Sequence, residues 1–174
     1  MLEHGQCENI GAVGSKLLFP DGTIQHAGVV AGMVGAAGHP HKFFPDNHIG
    51  YHGRLHMVNN VSAVTGAMLM VKTEKYQKVG GLDEENLAVA YNDIDFCLKL
   101  LDQGYLNVFT PHCKATHHES ISRGYEDTDE KMQRLLKEQS YFLDKWSDFL
   151  AKGDPFYNPN LSLKNERFSL NFKD

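Results

Sequence analysis

The hydrophobic pattern near the N-terminus predicts two strands joined by a tight turn. Residues 10–19 (IGAVGSKLLF) form an almost continuous apolar run, which is typical of a buried strand. In the turn 20–23 (PDGT), proline restricts its own φ and glycine tolerates the positive φ that closes the turn. Residues 23–31 predict the returning strand. The first strand has the apolar character of a strand inside a sheet and not at its edge, as if the first strands and helices of a larger sheet were absent.

A stretch rich in Gly, His, Pro and Asp separates this pair from the next apolar segment. Residues 32–51 predict a long, partly irregular loop, and loops of that length are usually functional or mobile. Residues 67–71 predict a second strand. Thr73 can cap a short helix over 74–79, which the following Gly-Gly pair ends.

The polar segment around residue 92 predicts the start of an amphipathic helix. Asn92 is a favourable N-cap, and the carboxylate of Asp95 suits the first turn of a helix. The helix stops at Gly104. Short strands are expected at 107–110 and 114–117.

The last long element is a helix with one apolar face. Asp127 and Glu130 predict its start in a capping-box-like arrangement. Its apolar positions recur in steps typical of a helix packed on a core: Met132, Leu135, Leu136, Phe142, Leu143, Trp146, Phe149 and Leu150. An extended, surface-hugging tail is expected over 153–174. The pattern predicts one α/β domain over residues 1–174, with a mixed sheet, flanking helices and a long C-terminal amphipathic helix.

Composition narrows the functional classes. The 174 residues are 41% hydrophobic and 22% charged, the balance of a globular domain with a sizeable core. A formal charge of -5 argues against a general nucleic-acid binder. No apolar run approaches the ~20 residues of a transmembrane helix. The three scattered cysteines (Cys7, Cys97 and Cys113) indicate reduced thiols, and a cytoplasmic location, if anything peripheral at the inner membrane face, is expected.

Four segments, in this order, resemble a known family. They are LLFPDGTIQHAGVV, SAVTGAMLMVKTEKYQKVGGLDEE, AYNDIDFCLKLLDQGY and THHESISRG. Together they resemble the C-terminal part of family 2 glycosyltransferases, especially the bacterial rhamnan, O-antigen and cell-surface polysaccharide type. The resemblance runs from about Ile10 to Ser162. It implies a partial GT-A fold and inverting transfer of a sugar from a nucleotide-diphospho-sugar donor to a saccharide acceptor.

The resemblance also implies a donor-binding half that this chain lacks. Family members begin with a Rossmann-like half that ends in a D-x-D motif holding a divalent metal. Nothing before Ile10 supplies it, and the D-T-D letters at 127–129 open a helix. Mn²⁺ or Mg²⁺ is therefore expected only together with that half. The chain alone is expected not to turn over.

Asp93 is the candidate catalytic residue. The resemblance implies that it acts as general base on the acceptor hydroxyl, and a helix N-terminus would give a carboxylate a rigid mount. The alternative is that Asn92, Asp93 and Asp95 only cap the helix. The resemblance further places Asn92 and Asp95 among the substrate-binding residues.

Other site residues follow from the same resemblance. His117 corresponds to the family's histidine ligand to the metal, and His118 is the competing candidate. Arg123 could clamp the donor diphosphate once a loop closes, or be an ordinary solvated arginine. Thr65 and Gly66 correspond to the segment that lines the sugar pocket, or serve tight strand packing.

Two alternative hypotheses would give the chain a non-catalytic function. One is a non-catalytic binding or assembly module, with the chain forming a homo-oligomer through an exposed sheet edge. The other is a zinc-loaded structural domain, although the histidines of the long loop fit no compact ligand set. These histidines are His39, His41, His48, His52 and His56. The glycines of the same region form neither G-x-G-x-x-G nor a P-loop.

Overall fold

A computed structural model describes residues 1–118 and 128–172 of the protein and shows one mixed sheet with helices around it. The strands are β1 (Ile10–Leu18), β2 (Ile24–His26), β3 (Val30–Ala31), β4 (Ala37–Gly38), β5 (Asn59–Val61), β6 (Leu69–Val71) and β7 (Leu106–Thr116). The helices are α1 (Leu2–Gly5), α2 (Thr73–Lys78), α3 (Asn92–Asp102), α4 (Asp129–Lys145) and α5 (Ser147–Lys152). The predicted α/β class is confirmed.

The strand β1 is the centre of the sheet. It runs parallel to β7 on one side and antiparallel to β2 and β6 on the other, and β5 pairs antiparallel with the far side of β7. Strands β3 and β4 form a separate two-stranded sheet. The interior character predicted for residues 10–19 is confirmed, because β1 has paired neighbours on both sides.

The main core lies where α3 packs on β1 and β7. Phe96, Leu98 and Leu100 of the helix have at most 1% of their surface exposed and meet buried residues of the two strands. Burying such side chains stabilises the fold by about 1.5–3 kcal/mol each. This packing fixes the axis of α3 relative to the sheet, and so fixes the direction of its first turn.

Two predictions about strands are wrong in detail. The returning strand predicted over 23–31 is split, because Gly28 adopts a φ of 95° and redirects the chain between β2 and β3. The two strands predicted around Pro111 are one strand, β7. Its register against β1 jumps from Thr110 to Lys114, so that the intervening residues have no partner on β1.

The helix starts also differ from prediction by one or two residues. The N-cap of α2 is Lys72 and not Thr73, and the N-cap of α3 is Tyr91, with a positive φ of 62°, and not Asn92. Thr128 caps α4 by accepting the N–H of Lys131, whereas Asp127 lies outside the described residues. The side chains of Lys72 and Tyr91 make no capping hydrogen bond, so of these three helices only α4 has a side-chain cap at its N-cap residue.

The C-terminal helix is broken at Trp146, which separates α4 from α5. The predicted apolar face packs on the core at Phe142, which is fully buried. Met132 and Leu136, however, are 44% and 56% exposed. The predicted long amphipathic helix therefore packs through its C-terminal half. No helix among residues 1–118 and 128–172 is long and apolar enough to cross a bilayer.

The segment after α5 lies along the β3–β4 sheet. The Oδ2 atom of Asp154 accepts the N–H of Ala31 at 2.8 Å, and Tyr157 and Leu161 pack with Val30 and Met33. These contacts hold residues 153–172 on the body of the protein.

Candidate functional site

Asp93 lies in the first turn of α3, and the backbone holds both of its carboxylate oxygens. Its Oδ2 accepts the N–H of Gly66 at 2.7 Å, and its Oδ1 accepts the N–H of Ile94 at 2.9 Å. The side chain is half-buried, so it is neither locked in the core nor free in solvent. Each oxygen keeps a second lone pair that a hydroxyl could approach.

The Thr65–Gly66 segment is positioned by the sheet beneath it. Val64 is fully buried, and a Cβ on Gly14 of β1 would lie 2.4 Å from the Cβ of Val64. Only glycine therefore lets this segment approach β1 so closely. Thr65 then starts a 3₁₀ turn, in which its Oγ1 accepts the N–H of Ala67. The N–H of Gly66 is left pointing at Asp93.

His26 ties the same segment to the long loop. Its Nε2 lies 3.3 Å from the N–H nitrogen of Gly28 and 3.4 Å from that of Thr65, and its Nδ1 lies 2.9 Å from Nδ1 of His39. Burial, and to a lesser degree His39, holds the pKa of His26 well below its usual range. Two backbone donors face Nε2, so the proton of the neutral ring belongs on Nδ1, which donates to His39.

His117 follows the last residue of β7. Its N–H donates to the carbonyl of Leu18, and its Nδ1 lies 2.8 Å from Oε1 of Gln25. An amide oxygen can only accept, so Nδ1 of His117 carries the proton and Nε2 keeps its lone pair. A hydrogen bond to one ring nitrogen commonly orients a histidine whose other nitrogen binds a metal. The competitor His118 is exposed.

A small pocket of about 100 Å³ lies next to His26, Thr65 and His117. It is lined by Gln25, His26, His39, Lys42, Thr65 and His117. Thr65 stands next to Gly66, which holds Asp93. Asp93 itself does not line this pocket, and its link to the pocket runs through the Thr65–Gly66 backbone.

The remaining predicted residues are placed differently. Asn92 lies beside Asp93 and donates from Nδ2 to the carbonyl of Val89 at 3.4 Å. Asp95 has no exposed surface and contacts Lys145 and Trp146, so substrate could reach it only if that cluster opened. Arg123 lies outside the described residues.

The described residues do not form a complete metal site. Among residues 1–118 and 128–172, no group of three or more His, Cys, Asp or Glu side chains could hold a metal ion. The loop histidines proposed for zinc have separate surroundings: His41 accepts the N–H of Tyr51, and His48 accepts that of Gly50. The Nε2 lone pair of His117 fits one position in the coordination of a divalent cation.

The sequence did not assign four of the pocket residues to this site. Gln25 and His26 occur in the predicted strand, His39 and Lys42 occur in the predicted loop over 32–51, and no motif joins them. The one available signal was Gln25-His26 within the segment that carries the family resemblance. Pairing of a strand with a distant loop is a tertiary property, which local pattern does not reveal.

Nearly the whole chain is similar to parts of two longer proteins. No protein-family model matches the chain. Over 172 residues, 98% of this chain, it is 50% identical to uncharacterized protein y4gI of Sinorhizobium fredii (strain NBRC 101917 / NGR234), covering 19% of that protein. Over 167 residues, 94% of this chain, it is 38% identical to O-antigen biosynthesis protein RfbC of Myxococcus xanthus, covering 12% of that protein. The chain thus resembles a short section of each of these much longer proteins.

Proposed function

We propose that this chain is the acceptor-side, catalytic part of an inverting family 2 glycosyltransferase of the GT-A type. It would serve the transfer of a sugar from a nucleotide-diphospho-sugar to a polysaccharide or related saccharide. The order of sequence motifs and the 38% identity to a protein named for O-antigen biosynthesis support this class. The observation that carries the proposal is that Asp93 accepts the N–H of Gly66, while His117 lines a pocket with the adjacent residue Thr65.

Asp93 is the proposed general base. As the acceptor hydroxyl oxygen forms a bond to the anomeric carbon, Asp93 takes the hydroxyl proton and the nucleoside diphosphate leaves with the electron pair of the broken bond. Attack on the face opposite the leaving group inverts the anomeric configuration. The N–H groups of Gly66 and Ile94 fix the rotation of the carboxylate, which favours proton transfer because little reorganisation is then needed.

His117 is the proposed protein ligand for a divalent cation that accompanies the donor. The other ligands would come from the donor diphosphate and from a D-x-D carboxylate outside this chain. Bound Mn²⁺ or Mg²⁺ would supply Lewis-acid neutralisation of the diphosphate. Gln25 holds the His117 ring so that Nε2 is the nitrogen available for this contact.

The roles of the other predicted residues divide by position. Thr65 and Gly66 present backbone to the substrate beside the carboxylate, and Asn92 supports the first turn of α3 from its inner side. Arg123 stays a candidate for the diphosphate. Asp95 is better explained as an anchor of α3 than as a substrate ligand, because its carboxylate is fully buried against Lys145 and Trp146.

A chimera tests the proposal. This chain replaces the matching segment of the Myxococcus xanthus O-antigen biosynthesis protein, in cells that lack that protein, and O-antigen on extracted lipopolysaccharide is measured. In a chimera that restores O-antigen, we expect His117→Ala to abolish production and His118→Ala to leave it within about twofold. Equal production by both variants would contradict the role of His117.

The isolated chain provides a second arm of the test. Incubated with a panel of nucleotide sugars, a saccharide acceptor and Mn²⁺, it is expected to release no nucleoside diphosphate above the rate without protein, because donor binding requires a further domain. Robust release by the isolated chain would show that donor binding lies within these residues.

A further inference from the structure

An aromatic pair with one exposed ring lies beside Lys42, which lines the pocket that contains His117. Phe43 is 64% exposed, and its ring stacks on Phe19 with centroids 5.1 Å apart and planes 8° from parallel. The ammonium nitrogen of Lys42 lies 5.3 Å from the centroid of Phe43 and 5.8 Å from that of Phe19. Lys42 also lines the pocket with Gln25 and His117. We call Phe19, Phe43 and Lys42 the aromatic platform.

The position of Phe43 is unfavourable in two respects, its backbone conformation and the exposure of its ring to water. Its φ is 65°, in the left-handed region. That region is unfavourable for a bulky side chain, whereas glycine or asparagine adopts it easily. Its ring also leaves most of its apolar surface in water. The neighbouring Phe44, by contrast, packs against the core. Neither the backbone strain nor the exposure of Phe43 stabilises the fold, and strain of this kind is often found at ligand sites.

The ring is nevertheless rigidly placed. The N–H of Phe43 donates to the carbonyl of Ile24 at 2.7 Å, and the N–H of Ile24 donates to the carbonyl of Phe44 at 2.8 Å. These two bonds tie the loop to the start of β2, and Phe19 supports the ring from behind. A flat aromatic surface that is fixed in advance loses little conformational entropy when it binds a ligand.

We propose that the aromatic platform binds a sugar ring of the saccharide acceptor, adjacent to the unit that reacts at Asp93. This rests on the proposed function, because it requires the site that contains Asp93 to take a saccharide acceptor. The apolar face of a pyranose ring carries several C–H bonds that pack flat on an aromatic ring, and the Lys42 ammonium donates to the hydroxyl groups at the ring edge.

Sugar binding can be measured on this chain without any transfer reaction. The protein is labelled with ¹³C in its phenylalanine rings and titrated with methyl pyranosides of glucose, mannose, galactose, rhamnose and N-acetylglucosamine, and with UMP as a nucleobase probe. We expect at least one methyl pyranoside to shift the Phe43 and Phe19 signals saturably, with a dissociation constant of about 1–10 mM. The signal of Phe172, which is 78% exposed and serves as internal reference, should not move.

Substitutions assign the effect to the ring. Phe43→Ala should weaken the binding of the same pyranoside about tenfold or more, as is typical of losing one stacking ring, and Phe172→Ala should leave it unchanged. The wild-type titration stands by itself if Phe43→Ala fails to fold.

Four outcomes would overturn the inference. They are no shift at Phe43 with any pyranoside, equal shifts at Phe43 and Phe172, a response to UMP alone, and Phe43 signals that depend only on protein concentration, which would indicate a second copy of the chain on the platform. Saturable sugar binding, together with equal O-antigen production by the His117→Ala and His118→Ala chimeras, would support the platform and contradict the proposed role of His117.

Discussion

Two buried histidines, His41 and His26, are neutral in the folded protein and accept hydrogen bonds from backbone N–H groups. His41 is 2% exposed, accepts the N–H of Tyr51 through Nε2 at 3.0 Å and lies against the rings of Phe44 and Phe168. Burial, followed by the nearby positive charge of Arg54, lowers its pKa to about 4. His26 is likewise neutral. Both rings act as hydrogen-bond acceptors for backbone N–H groups, which they can do only while unprotonated.

This predicts a loss of stability in acid. Below about pH 6.5 the histidines of the unfolded chain bind protons, whereas the folded His41 stays neutral down to about pH 4. The unfolded state then holds more protons, so the free energy of unfolding falls as the pH falls, by up to about 1.4 kcal/mol per pH unit for each such histidine. Urea unfolding at several pH values measures the slope.

Two variants assign the slope to His41. His41→Gln keeps an acceptor but cannot be protonated, so the pH slope between about 6.5 and 4 should decrease by about one proton. His56 is exposed, and His56→Gln should leave the slope unchanged. An unchanged slope in His41→Gln would show that His41 titrates normally in the folded protein.

At the scale of elements, the two carboxylates in the first turn of α3 have different roles. Asp95 accepts a hydrogen bond from Nε1 of Trp146 at 2.8 Å and pairs with Nζ of Lys145 at 2.7 Å and of Lys99 at 3.4 Å. These contacts fasten α3 to the junction of α4 and α5. Residues two apart on a helix do not share a face, so Asp93 points away from this cluster toward Gly66.

Substitution of Asp95 and of Asp93 should therefore change the free energy of unfolding by different amounts. Asp95→Asn removes a fully buried charge that the partly exposed Lys145 and Lys99 face, and should lower the free energy of unfolding by about 2–3 kcal/mol. Asp93→Asn should cost less than about 1 kcal/mol, because an amide oxygen can still accept the N–H of Gly66. Urea unfolding of both variants at neutral pH tests this. Equal losses would mean that the two residues serve the fold alike.

Element types were predictable where a local pattern decides them. The buried strand at residues 10–18, the Gly-Gly end of α2 and the helix after Asn92 follow from apolar runs, positive-φ glycines and helical spacing. The break at Gly28 and the irregular register of β7 did not follow. Both depend on which neighbour a strand meets: a Cβ on Gly28 would lie 2.7 Å from Val61, which is far away in sequence.

The candidate site was predictable only as separate motifs. Asp93 and His117 were found because each stands in a segment with the family pattern. Their common segment depends on the pairing of the N–H of Gly66 with Asp93 across 27 positions of sequence. His26, which joins Thr65 to His39, carries no local signal of that role.

At the scale of the whole molecule, the sheet has short and partly protected edges. Strands β2, β5 and β6 span three residues each, and the C-terminal half of β7 pairs only with β1 among the described strands. On that half, Lys114 forms an ion pair with Asp46 at 2.6 Å. A charged side chain on an edge strand disfavours pairing with another chain.

Self-association through an edge stays a prediction that light scattering can test. Dimerisation would double the mass of 19.5 kDa with increasing concentration, and β7 is the longest edge available for it. In that event Lys114→Val should strengthen association, because it removes the edge charge. A concentration-independent mass of one chain in both proteins would exclude pairing at this edge.

The central claim is that Asp93 acts chemically and is not only a helix cap. The most direct test is O-antigen production by the chimera with Asp93→Asn, compared with Asp102→Asn, the same exchange at the exposed C-terminal end of α3. We expect Asp93→Asn to lower transfer by about 10²–10⁴-fold and so abolish O-antigen, with the chimera still folded and produced at the normal level. Asp102→Asn should behave as the parent chimera. O-antigen at the parent level in Asp93→Asn would contradict the account and leave this chain a non-catalytic module.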